Sequence, residues 1–228
     1  WAMLIIPFLF SVILGNPKFG HIPLFFAWLF LYLCTYPFLM ALKRTKKQKH
    51  FIKWFVIYLI PALIFLIYPV VDEPRLIYFG LAMVPFFFIN MYFSKKRNDR
   101  ALTNDIIAVI IFGIGGLATY FYGTGTIDQT AILLFFLVFF YFLGTIFYVK
   151  TMIREKKNVV YKYVSWGYHI GLQVVLVIIG QFGLALAYLF STIRAIVLYG
   201  KKVSIKSIGI TEVASSVFFA VIVLIVLI

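Results

Sequence analysis

Long apolar stretches alternate with short polar runs along the whole chain. Nine of them stand out, over roughly 1–14, 22–42, 51–70, 76–93, 103–122, 131–150, 163–180, 182–199 and 210–228. Eight of the nine hold 18–21 residues. At about 1.5 Å per residue that approaches the ~30 Å of a hydrocarbon core. Inside that core every backbone N–H and C=O needs a partner within its own segment, so each stretch predicts a helix. The expected fold is all-α: a polytopic transmembrane helix bundle of about nine spans. No soluble segment is longer than a loop, which predicts a single domain over 1–228. The first stretch would reach only about 21 Å, so residues upstream of Trp1 are expected.

Asn16-Pro17, Pro74 and Gly123–Gly125 mark turns at one end of the spans. The opposite turns are basic. Loops at 43–49, 95–100, 150–162 and 201–206 carry 17 of the 21 lysines and arginines, whereas the other loops hold Lys18 and Arg75. Basic loops stay in the cytoplasm, which places the N-terminus inside. Composition sharpens this picture. The chain is 64% hydrophobic and 12% charged, with a mean hydropathy of +1.05, more apolar surface than a soluble domain of 228 residues can hide. The net charge of +14 then reads as sidedness and contact with membrane lipid rather than nucleic acid. Trp28, Trp54, Tyr68, Tyr148, Trp166 and Tyr199 fall at span ends, as an interfacial belt would. Gly113, Gly115, Gly116 and Ala118 form a small face for close helix contact.

Several kinds of chemistry have no foothold. Cys34 is the single cysteine, which rules out an intrachain disulfide or a cysteine metal site. His21, His50 and His169 fall on separate segments and suggest no metal centre. DxxxD, HExxH, GxSxG and P-loop motifs are missing, and no cofactor is expected.

Ionisable groups within spans are costly and therefore point to function. Those of spans 5 to 8 gather near the basic side. Asn104 lies four residues after Arg100 and seven after Arg97, so the three share a face if the helix extends that far, with Asp105 beside them. Lys150 and Arg154 are four apart at the end of span 6. Tyr161, Ser165, His169 and Gln173 form a stripe on span 7, and span 8 carries Ser191 and Arg194. His169 and Arg194 would each lie about 9 Å in from the basic side. Together these side chains predict a cationic pocket open to the cytoplasm, suited to a phosphate, diphosphate or carboxylate head with an apolar tail. Plainer readings stand beside it. Arg194 also fits a snorkelling side chain, Lys150 and Arg154 fit topology charges, and Asn104-Asp105 fits a helix cap with Thr103. Glu212 is expected to pair with a neighbouring lysine.

WAMLIIPF at the start, RALTND at 100–105, and GTIFYVKTMIREKKN at 144–158 followed by YHI at 168–170 resemble the YwiC-like family of bacterial integral membrane proteins. The resemblance implies a multi-pass protein of the bacterial cytoplasmic membrane with Gln-His-Gly-Ala ahead of the first Trp, and supplies no chemistry. Nine spans with polar cytoplasmic loops are also remotely similar to UbiA-type prenyltransferases. Asn98-Asp99 and Asn104-Asp105 here lack the further aspartates of that family's signature, and the loops after spans 2 and 6 are basic. Only the architecture would carry over, with its handling of an anionic, lipid-linked or amphipathic ligand. The alternatives are a small-solute transporter or channel, or a structural subunit of a membrane complex.

Overall fold

A computed structural model describes residues 1–43 and 47–228. The topology charges Arg44 and Lys46 lie outside the described residues. Among those residues the secondary structure is helical throughout: α1 Ala2–Leu14, α2 His21–Leu42, α3 Gln48–Asp72, α4 Leu76–Lys95, α5 Leu102–Thr124, α6 Gln129–Val149, α7 Val159–Ile178, α8 Phe182–Val197 and α9 Ile205–Leu227. A π-helical turn, Lys150–Arg154, extends α6. The expected spans fall on these helices within a few residues. α2 to α6 and α9 are long and apolar enough to cross a membrane. α1 and α8 are shorter apolar helices, and α7 has the length but carries the polar stripe. Helix interiors hold Pro7, Pro37, Pro61, Pro69 and Pro85, which membrane helices tolerate. Outward faces stay apolar: α4 exposes Ile77, Leu81, Val84 and Phe88, as a lipid-facing surface does.

The chain forms two compact units, residues 3–136 and residues 1–2 with 137–228. In the first, α2 packs on α3 and α4 on α5. The glycine face of α5 makes these approaches possible. A Cβ on Gly115 would stand 2.5 Å from the Trp28 ring, one on Gly113 2.6 Å from Phe135, and one on Gly116 3.0 Å from Pro7. Trp28 is therefore a packing residue as well as a span-end aromatic. Leu24, Leu76, Phe121 and Tyr122 form a core cluster. At its edge Tyr122 Oη donates to Asp72 Oδ2 at 2.7 Å, and His21 Nε2 meets the Thr119 carbonyl at 3.1 Å.

In the second unit α8 packs on both α7 and α9. Tyr148, Met152, Ala195 and Ile208 form its core cluster near the basic end. Tyr148 is 1% exposed, so it belongs to this core and not to an interfacial belt. Asn158 caps α7 by accepting from the Val160 N–H at 3.1 Å, and Ser204 caps α9 through the Ser207 N–H at 3.1 Å.

Candidate functional site

The ten residues expected to line a pocket divide between the units. Arg97, Arg100, Asn104 and Asp105 belong to the first; Lys150, Arg154, Tyr161, Ser165, His169 and Arg194 belong to the second.

The first set forms a turn rather than a helical face, because α5 begins only at Leu102. Arg97 has φ 55°. It ends α4 as the left-handed residue of a Schellman motif, with Asn98 N–H donating to Phe93 O at 2.9 Å and Arg97 N–H to Ser94 O at 3.0 Å. Where α5, α7 and α8 end on Gly125, Gly180 and Gly200, α4 ends on an arginine. Asn104 is no N-cap; Ala101 takes that position. Its Nδ2 reaches back to Asp99 O at 2.8 Å, and Lys43 Nζ donates to Asp99 Oδ2 at 2.7 Å. Partial burial works against the Asp99 charge, but the Lys43 ammonium outweighs it and holds the carboxyl below its ordinary range. Arg97 and Arg100 are exposed; Asn104 and Asp105 are half-buried.

Four of the second set, Lys150, Ser165, His169 and Arg194, are drawn inward. Arg194 is 3% exposed and ion-pairs with Glu212 of α9 through Nη1. The expected lysine partner for Glu212 is thus replaced by Arg194, and Arg194 does not snorkel. α9 starts at Ile205 rather than near 210, which places Glu212 about 10 Å along the helix. Arg194 Nη2 donates to Thr145 Oγ1 at 3.1 Å, and the guanidinium lies 4.6 Å from the Tyr148 ring centroid. Arg194 Nε and Tyr148 Oη are buried without a hydrogen-bond partner.

Deeper along α9, Ser215 and Ser216 share the Tyr141 hydroxyl at 2.9 and 3.2 Å, and Ser191 Oγ meets Ser215 Oγ at 3.1 Å. The track stops there. The Phe219 ring stacks on Tyr141 at 4.0 Å and meets Tyr188 edge-on at 5.2 Å.

His169 and Ser165 are both buried. α7 begins at Val159, so His169 lies about 15 Å along the helix, deeper than the sequence suggested. Its Nδ1 is 2.7 Å from the Ser165 carbonyl. A carbonyl only accepts, so Nδ1 carries the proton in this contact. Nε2 is buried without a partner, 3.1 Å from where a Cβ on Gly144 would sit. The π turn separates Lys150 from Arg154: Lys150 is 5% exposed, whereas Arg154 faces solvent. Thr151 Oγ1 bonds the carbonyls of Phe147 and Tyr161, so Tyr161 enters this region through its backbone.

Thr145, Tyr148, Glu212, Tyr141, Ser215 and Ser216 were not among the expected site residues. One signal was available: Thr211-Glu212 and Ser215-Ser216 recur one turn apart within an apolar run, and an acid inside a span needs a partner.

Among the described residues, no group of His, Cys, Asp and Glu side chains could hold a metal ion. The Arg194 guanidinium has the donor set that recognises planar anions. Its Nε and Nη2 hydrogens point along one edge of the guanidinium, the edge that takes a planar acid in a bidentate grip. Arg75 uses that edge on Glu73, with Nε to Oε1 and Nη2 to Oε2, both 2.8 Å. On Arg194 the same edge holds only the Thr145 hydroxyl.

Comparison with known proteins places this architecture. The model of the YwiC-like protein family matches residues 1–120. A Bacillus subtilis protein named "Uncharacterized protein YwiC" is 43% identical over 219 residues, covering 96% of this chain and 91% of its own. The chain belongs to the YwiC-like family. A Haemophilus influenzae relative, "Uncharacterized protein", is 37% identical over 224 residues, covering 98% of this chain and 94% of its own. No solved structure matches this YwiC-like chain. The family model ends within α5, yet both relatives extend through α6 to α9, so the buried polar track lies in sequence that YwiC-like relatives share.

Proposed function

We propose that this YwiC-like protein resides in the bacterial cytoplasmic membrane and holds an anionic, lipid-linked or amphipathic ligand reached from the cytoplasmic side. Arg194 is the anion-binding group. The observation that carries this reading is its burial: a guanidinium 3% exposed, neutralised on one nitrogen by Glu212, with Nε free of any hydrogen bond. Such a group is expensive among apolar helices unless something uses it. Lys150, on the adjoining π turn, and His169 add a second buried cation and a ring nitrogen without a partner. Arg154, exposed at the end of the same π turn, contributes surface charge that draws anions towards it.

The test uses the purified full chain in detergent with farnesyl diphosphate, farnesyl monophosphate and neutral farnesol as probes. The phosphorylated probes are expected to bind and farnesol is not. Arg194→Lys keeps the charge but removes the fork, and should weaken binding by about tenfold or more. Equal binding of all three probes, or an unchanged affinity in Arg194→Lys, would sink the reading.

A transporter is the second reading. The polar groups from Arg194 and Glu212 to Ser215 and Ser216 stop at the Tyr141–Tyr188–Phe219 stack, as a path closed by an aromatic gate would. Phe219→Ala should then open a solute flux in proteoliposomes.

A further inference from the structure

The unit over residues 3–136 contains a partly open cleft of about 320 Å³ between α2, α3, α4 and α5. Leu24, Trp28, Leu66 and Met83 line it, and Gly80 and Gly115 thin two of its walls. It extends from Leu24 to Leu31 on α2 and from Leu76 to Met83 on α4, about 10 Å parallel to the helices. All of these residues lie within membrane-crossing helices.

Water does not suit this space. A buried water needs two to four polar partners. The hydroxyl on the wall, Thr119 Oγ1, already donates to Gly115 O at 2.9 Å, and the Thr119 carbonyl already meets His21. The filling is therefore hydrocarbon, and a narrow slot along the helix direction takes one alkyl chain.

The end of the slot nearest the loops has a different character. Leu24 and Leu76 pack there on Phe121 and Tyr122. Lys18 Nζ donates to the carbonyl of Tyr122, a member of that cluster, at 2.9 Å. The Arg75 guanidinium covers the Phe121 ring at 4.8 Å while gripping Glu73. Asp72 is occupied by the Tyr122 hydroxyl. A phosphate attached to a chain in the slot would meet Lys18 at this level, and a cation beside a lipid headgroup attracts an anionic one.

We propose that the cleft binds one acyl chain of an anionic phospholipid whose phosphate rests on Lys18. This site is independent of Arg194 and stands whether or not the proposed ligand site does.

Gly80 makes the slot testable. A Cβ there meets nothing within 4 Å, so a leucine can enter the space without displacing a neighbour, and leucine is the better helix former. Native mass spectrometry of the full chain, released from nanodiscs of equal dioleoyl-phosphatidylglycerol and dioleoyl-phosphatidylcholine, should show one retained phosphatidylglycerol. Gly80→Leu removes room for several methylenes and should cut that retention about tenfold with thermal stability held or raised. Lys18→Gln should keep a bound lipid but lose the preference for phosphatidylglycerol. Arg194→Lys should change neither, which separates this result from failure of the first site. Quenching of Trp28 by phosphatidylglycerol brominated on its acyl chains, read in a variant with Trp1, Trp54 and Trp166 changed to Phe, checks the slot directly. Undiminished lipid in Gly80→Leu, no headgroup preference to lose, or unquenched Trp28 would each overturn the proposal.

Discussion

The two units solve the same physical problem in opposite ways. In residues 3–136 the polar side-chain contacts cluster at the helix ends: Lys43 with Asp99 at one, Tyr122 with Asp72 and Arg75 with Glu73 at the other. The space between is closed by rings on glycines and by an apolar cleft. In residues 137–228 the charges and hydroxyls go inside. Arg194, Glu212, Thr145, Tyr141 and three serines are linked within the helices themselves. The first arrangement is what a helix bundle needs to stand in lipid. The second goes beyond that need, because apolar side chains would pack these helices without desolvating a charge. The difference is one of where polarity lies: at the helix ends in residues 3–136, and between the helices in residues 137–228.

The largest expected effect is on the buried pair. Glu212→Gln or Arg194→Met should each destabilise the protein by about 3–5 kcal/mol, since either leaves a buried charge uncompensated. The double variant Arg194→Met/Glu212→Leu should recover most of that loss. Thermal unfolding in detergent reads all three, and single losses no larger than that of exposed Arg154→Gln would erase the contrast between the units. Next comes the glycine face. Gly115→Val should cost about 1–3 kcal/mol because its side chain meets the Trp28 ring, while polar contacts in the other unit stay intact.

Arg97→Gly should move stability the other way, upward by about 0.5 kcal/mol, by relieving the left-handed backbone at φ 55°. A loss of stability would show that the Arg97 side chain does more than end a helix. The smallest effect concerns pH. Asp99 titrates below its ordinary range in the folded chain, so its contribution is present above the unfolded value of about 3.9 and fades as pH falls through the folded one. Lys43→Gln should flatten that acid limb of a stability-against-pH curve. The change is slight because the Asp99 side chain is 44% exposed.

The hydrophobic pattern determined the all-α class, the helices α1 to α9 found among the described residues and the glycine face of α5, since in a membrane a backbone must satisfy itself and length alone then sets each element. It also marked His169 and Arg194 as costly residues. What it could not decide was partnership. Glu212 lies eighteen positions from Arg194, and residues with no sequence relation meet only when α8 packs on α9. Helix starts mattered as much: four residues more on α7 and five on α9 set His169 about 15 Å and Glu212 about 10 Å along their helices. The turn before α5 lies where the loop at 95–100 was expected; the shared face of Arg97, Arg100 and Asn104 required a longer α5, and it does not form because local backbone bonds close α4 on Arg97 and α5 begins at Leu102. Spans follow from transfer of side chains into hydrocarbon, a property of each segment alone; ion pairs and clefts follow from which segments touch, and that is settled by packing.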